Sequence, residues 1–152
     1  MGAAFFYHLT ESPLEEALPL LLGKALDAGW RIEVRGTDTD RLKELDTKLW
    51  GGADDGFLPH GVEGGKHDAR QPILLTSSHN RKNNPTCVVA VHGAKVAPEE
   101  VDGLERAMVV FDATLGDEIQ LAREQWKTLT GAGCTAQYWA QEGHRWVKKA
   151  ES

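Results

Sequence analysis

Short apolar runs alternate with stretches of helical periodicity along the chain, and this alternation limits the possible folds more than any other feature. Six strands are predicted, at residues 3–9, 31–34, 72–76, 87–92, 106–112 and 134–141. Helical patterns separate several of the strands. They lie at residues 12–29, 98–101 and 114–131, and a further one ends at Trp50. Strands joined by helices form parallel sheets with right-handed crossovers. We therefore predict an α/β fold: a Rossmann-like sandwich with helices on both faces of a largely parallel sheet of about five to seven strands.

Local signals predict where two of the helices begin. Ser12, Pro13 and Glu15 combine an N-cap, a proline at the first helical position and a glutamate three residues after the cap. Thr114 is the predicted cap of the last long helix. The glycine-rich stretch 61–70 carries the weakest pattern, so we expect a mobile loop there.

Composition narrows the class of protein. A chain of 152 residues with 41% hydrophobic and 26% charged residues is ordinary for a single globular domain, here residues 1–152. It has no apolar run of bilayer length and no leader pattern, so we expect a cytoplasmic protein without membrane contact. The net charge of −6 disfavours direct binding of nucleic acid. Residues 119–152 nevertheless carry a net charge of +2, which indicates an acidic partner for the C-terminal part.

Motifs for catalysis are lacking in the sequence. No strand is followed by the glycine pattern of a dinucleotide or phosphate loop, and no serine lies in a nucleophile elbow. Cys87 and Cys134 lie in apolar runs typical of buried thiols. His60, His67 and Asp68 are the one cluster worth weighing as metal ligands, but their spacing favours a solvated loop. We therefore predict no catalytic residues, no cofactor and no metal.

The last long helix has an apolar face with two cations beside it. Its apolar residues share helical spacing: Leu115, Ile119, Ala122, Trp126 and Leu129. Arg123 and Lys127 lie four residues apart, one step round from this face. The arrangement suits a peptide that ends in a hydrophobic residue with a free carboxylate. The alternative is a solvated basic edge in which Glu124 pairs with Lys127.

A second candidate surface follows the helix whose inward stripe is formed by Leu42, Leu45 and Leu49. Trp50 ends this helix, and a glycine-rich run separates it from the segment Phe57-Leu58-Pro59-His60. Exposed aromatic residues that flank a loop are typical interface anchors. The alternative is that both aromatics pack under the loop as a small satellite cluster.

Four motifs in this order and spacing resemble the chi subunit of DNA polymerase III, an accessory protein of the clamp loader. They extend from Phe5 to about Trp139 and are the opening Phe-Phe-Tyr-His-Leu strand, the Ala28-Gly29-Trp30-Arg31 turn, the Leu-Trp and Phe-x-Pro-His pair around residues 49–60, and Leu121-Ala122-Arg123-Glu124-Gln125-Trp126-Lys127.

The resemblance implies a non-enzymatic adaptor with two partners. Arg123, Trp126 and Lys127 would hold the acidic, phenylalanine-ended tail of single-stranded DNA-binding protein. Ile119 takes a place where relatives can carry a basic residue, and this departure implies a site that is either weaker or more apolar. The surface that would dock the psi subunit or a competing helicase consists of Trp50, Phe57, Leu58, Pro59 and His60.

Two other classes of function stay open at this stage. A small α/β enzyme or nucleotide-binding protein would use the loops at the carboxyl ends of the strands. A structural α/β domain would have its partner elsewhere.

Overall fold

The computed structural model describes residues 2–50, 60–78, 82–112, 114, 116–143 and 145–152. The strands within these residues are β1 (Ala3–Leu9), β2 (Ile32–Arg35), β3 (His60–Val62), β4 (Ile73–Thr76), β5 (Cys87–Ala90), β6 (Arg106–Asp112), β7 (Thr135–Glu142) and β8 (Arg145–Glu151). The helices are α1 (Leu14–Asp27), α2 (Thr39–Trp50), α3 (Pro98–Asp102) and α4 (Gly116–Gly131), with a short 3₁₀ turn at Asp68–Arg70.

The described strands form one eight-stranded sheet in the order β3-β4-β2-β5-β6-β1-β7-β8. The first seven strands of this order pair in parallel, and β8 pairs antiparallel with β7. The predicted α/β class and the largely parallel sheet are therefore confirmed. The expected strand count of five to seven was too low, because β3 and β8 escaped the sequence analysis.

Helices cover both faces of the sheet and produce two hydrophobic cores. On one face, α1 and α2 pack against the strands, and Leu18, Leu22 and Leu42 are fully buried there. On the other face, α3 and α4 bury Val101 and Leu129. Every residue of β2, β4 and β5 is buried, which explains the nearly continuous apolar runs of β4 and β5, whereas β2 also buries the charged residues Glu33 and Arg35. None of the described helices is long and apolar enough to span a bilayer.

The predicted helix starts need correction. Helix α1 begins at Leu14, and Pro13 occupies the cap position without a side-chain hydrogen bond. Ser12 instead donates its backbone N–H to Gln141 Oε1 over 3.1 Å, and the N–H groups of the two preceding residues share this acceptor. Gln141 thus accepts the Ser12 N–H that a capping box would have paired with the Glu15 side chain. Similarly, α4 begins at Gly116, and the Thr114 hydroxyl donates to Asp112 Oδ1.

The stretch 61–70 is more structured than the sequence suggests, and the solvated-loop prediction is wrong for two of its three candidate ligands. Asp68 is buried, and its carboxylate accepts hydrogen bonds from the N–H groups of Gly64 (2.8 Å) and Gly65 (3.0 Å). His60 is also buried, with Nε2 3.2 Å from Asp46 Oδ1 on α2. His67 is exposed. In the described part of the chain, no three potential metal ligands cluster together.

A buried ion triad joins β2 to α3. The Arg35 side chain is fully buried, with Nη2 2.8 Å from Glu33 Oε2 and 2.7 Å from Glu100 Oε2. Its Nη1 also donates to the Lys95 carbonyl over 3.0 Å. Burial alone would lower the pKa of Arg35, but the hydrogen bonds and negative charges of Glu100 and Glu33 outweigh this effect and raise the pKa. The triad therefore fixes the 95–100 segment against the sheet.

We expect His92, which follows β5, to make the fold sensitive to acid. Burial, reinforced by Arg41 and opposed by Asp38, lowers the pKa of His92 from 6.5 to about 4. The unfolded chain binds this proton at a higher pH than the folded chain does, so stability present above pH 6.5 is lost as the pH falls towards 4. Allowing for the partial exposure of the ring, the loss should be about 1–2 kcal/mol.

Denaturant titrations at pH 7 and pH 4.5 check this expectation. His92 has a positive φ of 56°, which asparagine tolerates, so His92→Asn removes the titrating group with little strain. The variant should lose about 1–2 kcal/mol less than the parent between these pH values, whereas exchange of the exposed His67 for Asn should leave the loss unchanged. Equal losses in the parent and His92→Asn would contradict the assignment.

Candidate functional site

A groove of about 580 Å³ lies between α4 and the strands β6, β7 and β8, and we call it the α4 groove. Helix α4 supplies Ile119, Arg123, Trp126 and Lys127, all four of the residues that the sequence proposed for a peptide site. The strands supply Phe111, Tyr138, Lys149 and Ala150. The structure thus places the four predicted residues in one concave surface.

The floor of the groove is aromatic. Trp126 and Tyr138 meet edge to face with 6.1 Å between ring centroids, and Phe111 lies 6.0 Å from Tyr138. Behind the floor, Phe6 packs edge to face against Trp126 at 5.3 Å. Trp126 and Tyr138 are half-buried, so part of each ring faces the groove. Edge-to-face rings of this kind offer a favourable surface for a further aromatic side chain.

His8 on β1 holds the floor from beneath. Its Nδ1 is hydrogen-bonded to the Tyr138 hydroxyl over 2.7 Å, and its ring stacks on Phe111 with 4.8 Å between centroids. Burial and the nearby charge of Arg123 lower the pKa of His8, although Asp112 opposes this effect. Burial also raises the pKa of Tyr138. Both groups are therefore neutral near pH 7, and the floor is preformed and uncharged.

Arg123 and Lys127 form a cationic rim above this floor. Both side chains are exposed, and within the described residues neither has a carboxylate oxygen within 4.0 Å. Glu124 contacts Gln120 over 3.5 Å and does not pair with Lys127, so that part of the solvated-edge alternative is wrong. Lys149 reaches the groove from β8 and forms an exposed ion pair with Glu142. Among the described residues, the cations that line the groove outnumber its one carboxylate, Glu124, and an excess of cations beside an apolar surface attracts an anion that also carries an apolar group.

The strand half of the groove was missed by the sequence analysis. Phe111, Tyr138 and Lys149 lie on three different strands, and nothing in their local sequence marks them as neighbours of α4. On α4 itself, Ala122 and Leu129 are buried, as their spacing predicted. Leu115, the first residue of the predicted face, lies outside the described residues.

The second predicted surface is only partly described. Helix α2 ends at Trp50, while Phe57, Leu58 and Pro59 lie outside the described residues. His60 begins β3, and its side chain is fully buried against α2. His60 therefore packs against α2 and offers no exposed side chain to a partner.

A smaller cleft of about 160 Å³ lies at the carboxyl ends of β1 and β6, where α/β proteins often bind nucleotides. Carboxylates outnumber cations in its lining, which includes Glu15, Glu44, Asp112 and Glu118 against Arg41 and Lys48. Burial raises the pKa of Glu118, with a hydrogen bond from the Asp112 backbone and the charge of Arg41 opposing it. A phosphate needs backbone amides or excess positive charge. The cleft therefore gives a nucleotide little support.

Comparison with known proteins identifies the family of this chain. The family model described as DNA polymerase III chi subunit, HolC, matches residues 1–137, so the match ends within β7 and before β8. A curated relative is the probable DNA polymerase III subunit chi of Rickettsia prowazekii (strain Madrid E). It is 23% identical over 111 residues, which cover 70% of this chain and 67% of the relative. The match spans most of the chain, and the chain therefore belongs to the DNA polymerase III chi subunit family.

Proposed function

We propose that this chain is a non-enzymatic adaptor that joins the clamp-loader assembly of DNA polymerase III to single-stranded DNA-binding protein in the cytoplasm. The α4 groove would bind the acidic C-terminal tail of that protein. One observation carries the proposal: Arg123 and Lys127 have no carboxylate partner among the described residues and flank the aromatic floor of Trp126 and Tyr138.

The groove matches each part of such a tail. A terminal phenylalanine would pack on Trp126 and Tyr138, where ring contacts add to the burial of apolar area. The terminal carboxylate would accept two N–H donors from Arg123, since a guanidinium binds carboxylates in a bidentate manner. Lys127 and Lys149 would attract the acidic residues that precede the terminal phenylalanine. Ile119 extends the apolar wall of the groove. This wall favours contact with the aromatic side chain of the tail and adds no further attraction for its acidic residues.

Binding to a single tail can be modest and still effective. Single-stranded DNA-binding protein would present several tails on one coated strand, and linked sites raise the effective concentration of each tail. A thermal-shift screen distinguishes the adaptor from the enzyme class. An acidic peptide ending in phenylalanine should stabilise the protein, whereas nucleoside phosphates should not. Stabilisation by nucleotides alone would contradict the adaptor proposal.

Trp50 and Phe57 are proposed anchors for a separate partner, the psi subunit or a helicase. Trp50→Ala and Phe57→Ala should each weaken assembly with that partner by about 2 kcal/mol or more, the loss expected for an interface hot spot. Binding of the tail peptide should be unchanged, because Trp50 ends α2, which packs on the face of the sheet opposite to α4. Pull-down with the purified partner and calorimetry with the peptide measure the two effects separately.

A structural role for these aromatics would give a different result. A loss of stability of about 3–5 kcal/mol in either variant, as for a truncated core aromatic, would show that the residues belong to the core. Leu20→Ala is a suitable control, because Leu20 is a large exposed apolar residue on α1. It should preserve both binding activities.

A further inference from the structure

Strand β8 forms the outer edge of the sheet beside the α4 groove. Within the described residues, only β7 pairs with it, along one side. Ser152, just after β8, exchanges both backbone hydrogen bonds with Ala136. Main-chain groups alternate in direction along a strand. The N–H and C=O of Glu151 therefore point away from β7, towards the open side. An exposed edge of this kind is a template for a further strand.

The charge of the β8 edge selects the kind of strand that can be added. Arg145, Lys148 and Lys149 are exposed on β8, against the single acidic residue Glu151. Lys148 pairs with Glu151 over 3.1 Å, and Lys149 pairs with Glu142. Exposed pairs of this type contribute little and exchange readily with other anions. A second copy of β8 would bring like charges together, whereas an acidic peptide complements the edge.

The edge and the α4 groove are continuous. Lys149 and Ala150 belong to β8 and also form a wall of the groove. A peptide whose last residue lies in the groove can therefore extend its preceding residues along β8. The basic side chains lie on the Arg145 side of this point and Glu151 on the other, so an acidic segment is drawn towards Arg145.

We propose that the acidic segment preceding the terminal aromatic residue adds to β8 as a ninth strand, parallel to β8. This inference rests on the proposed function of the α4 groove and specifies how the rest of the peptide is held. Main-chain hydrogen bonds to the edge supply affinity without demanding a particular sequence, while acidic side chains of the added strand lie close to the basic side chains of β8. The tail is thus recognised by its extended backbone as well as by its charge.

Peptides of different length and methylation test the proposal on the full chain. The probes are a four-residue and a ten-residue acidic peptide, both ending in phenylalanine with a free carboxylate. Two further ten-residue peptides carry N-methyl groups on alternate backbone amides, one peptide in each register. Only one register can place its N–H groups towards β8, so one methylated peptide should lose about tenfold in affinity while the other changes little. Protection of the Glu151 amide in hydrogen exchange should accompany binding of the unmodified ten-residue peptide.

Two substitutions test whether cations on β8, and not cations elsewhere on the surface, bind the acidic segment. Arg145→Ala should weaken binding of the ten-residue peptide several-fold, as expected for the loss of one ionic hydrogen bond. The affinity for the four-residue peptide should stay unchanged. Lys43→Ala, which removes an exposed cation from α2 on the other face, should affect neither peptide.

The outcomes distinguish this inference from the function on which it rests. If neither peptide binds, the proposed function fails and the added strand fails with it. If the short and long peptides bind equally, or both methylated registers bind equally, only the added strand is overturned. Calorimetry supplies the affinities for all four peptides.

Discussion

Replacing Arg35 by methionine is expected to lower the free energy of unfolding by about 3–5 kcal/mol, the loss typical of removing one partner from a buried ion pair. Methionine fills much of the space but leaves the fully buried carboxylate of Glu33 without the guanidinium 2.8 Å away. The 95–100 segment also loses its bonds from Arg35 to Glu100 and to the Lys95 carbonyl. Urea denaturation at pH 7 measures the loss.

Two further variants serve as controls for Arg35→Met. Arg41→Met removes a half-exposed arginine that lies 3.7 Å from Glu118, and it should cost at most about 1 kcal/mol. The double replacement of Glu33 and Arg35 by methionine should recover part of the stability, because no buried charge then loses its partner on β2. An Arg35→Met effect as small as that of Arg41→Met would show that the triad does not hold α3 to the sheet.

Arg123→Ala is expected to weaken binding of the acidic tail peptide by about 1.5–3 kcal/mol, the range for hydrogen bonds to charged groups. The guanidinium provides the bidentate contact with the terminal carboxylate, and a lysine or alanine cannot replace its geometry. Arg123 is exposed, so the thermal unfolding midpoint should stay close to that of the parent. Higher salt should weaken the parent complex, since partly exposed charges are screened.

An arginine far from the groove provides the matched control. Arg70 is exposed on the 3₁₀ turn, and Arg70→Ala should leave the peptide affinity unchanged. Calorimetric titration of the three proteins at two salt concentrations measures the differences. Equal affinities for Arg123→Ala and Arg70→Ala would remove Arg123 from the proposed site.

The sequence predicted the buried part of the sheet well and the edges poorly. Ala3–Leu9 and Arg106–Asp112 were predicted with the observed bounds, because strands covered by helices on both sides require continuous apolar residues. β3 has three residues and includes a glycine, and β8 carries four charged side chains in seven residues. A short or water-exposed edge strand needs neither an apolar run nor strict alternation. Pattern analysis therefore had no signal for these two strands.

The α4 groove was also predictable only in part. The residues on α4 were predictable, because helical spacing alone brings Arg123 and Lys127 to one side and Trp126 to the apolar face. Phe111, Tyr138 and Lys149 join them only through the order of β6, β1, β7 and β8 in the sheet. A long-range juxtaposition of this kind depends on the complete topology. The capping box at Ser12 failed for a related reason, since Gln141, far away in sequence, accepts the Ser12 N–H that the box would have paired with Glu15.

The most direct test of the adaptor account is a calorimetric titration of the full chain with an acidic peptide that ends in phenylalanine. One sample of the peptide carries a free terminal carboxylate, and the other carries a terminal amide. If the carboxylate binds Arg123 beside the aromatic floor, the free acid should bind at one site, and the amide should bind about tenfold more weakly or worse. No heat of binding with the free acid, or equal affinities for the two peptides, would contradict the assignment of the α4 groove.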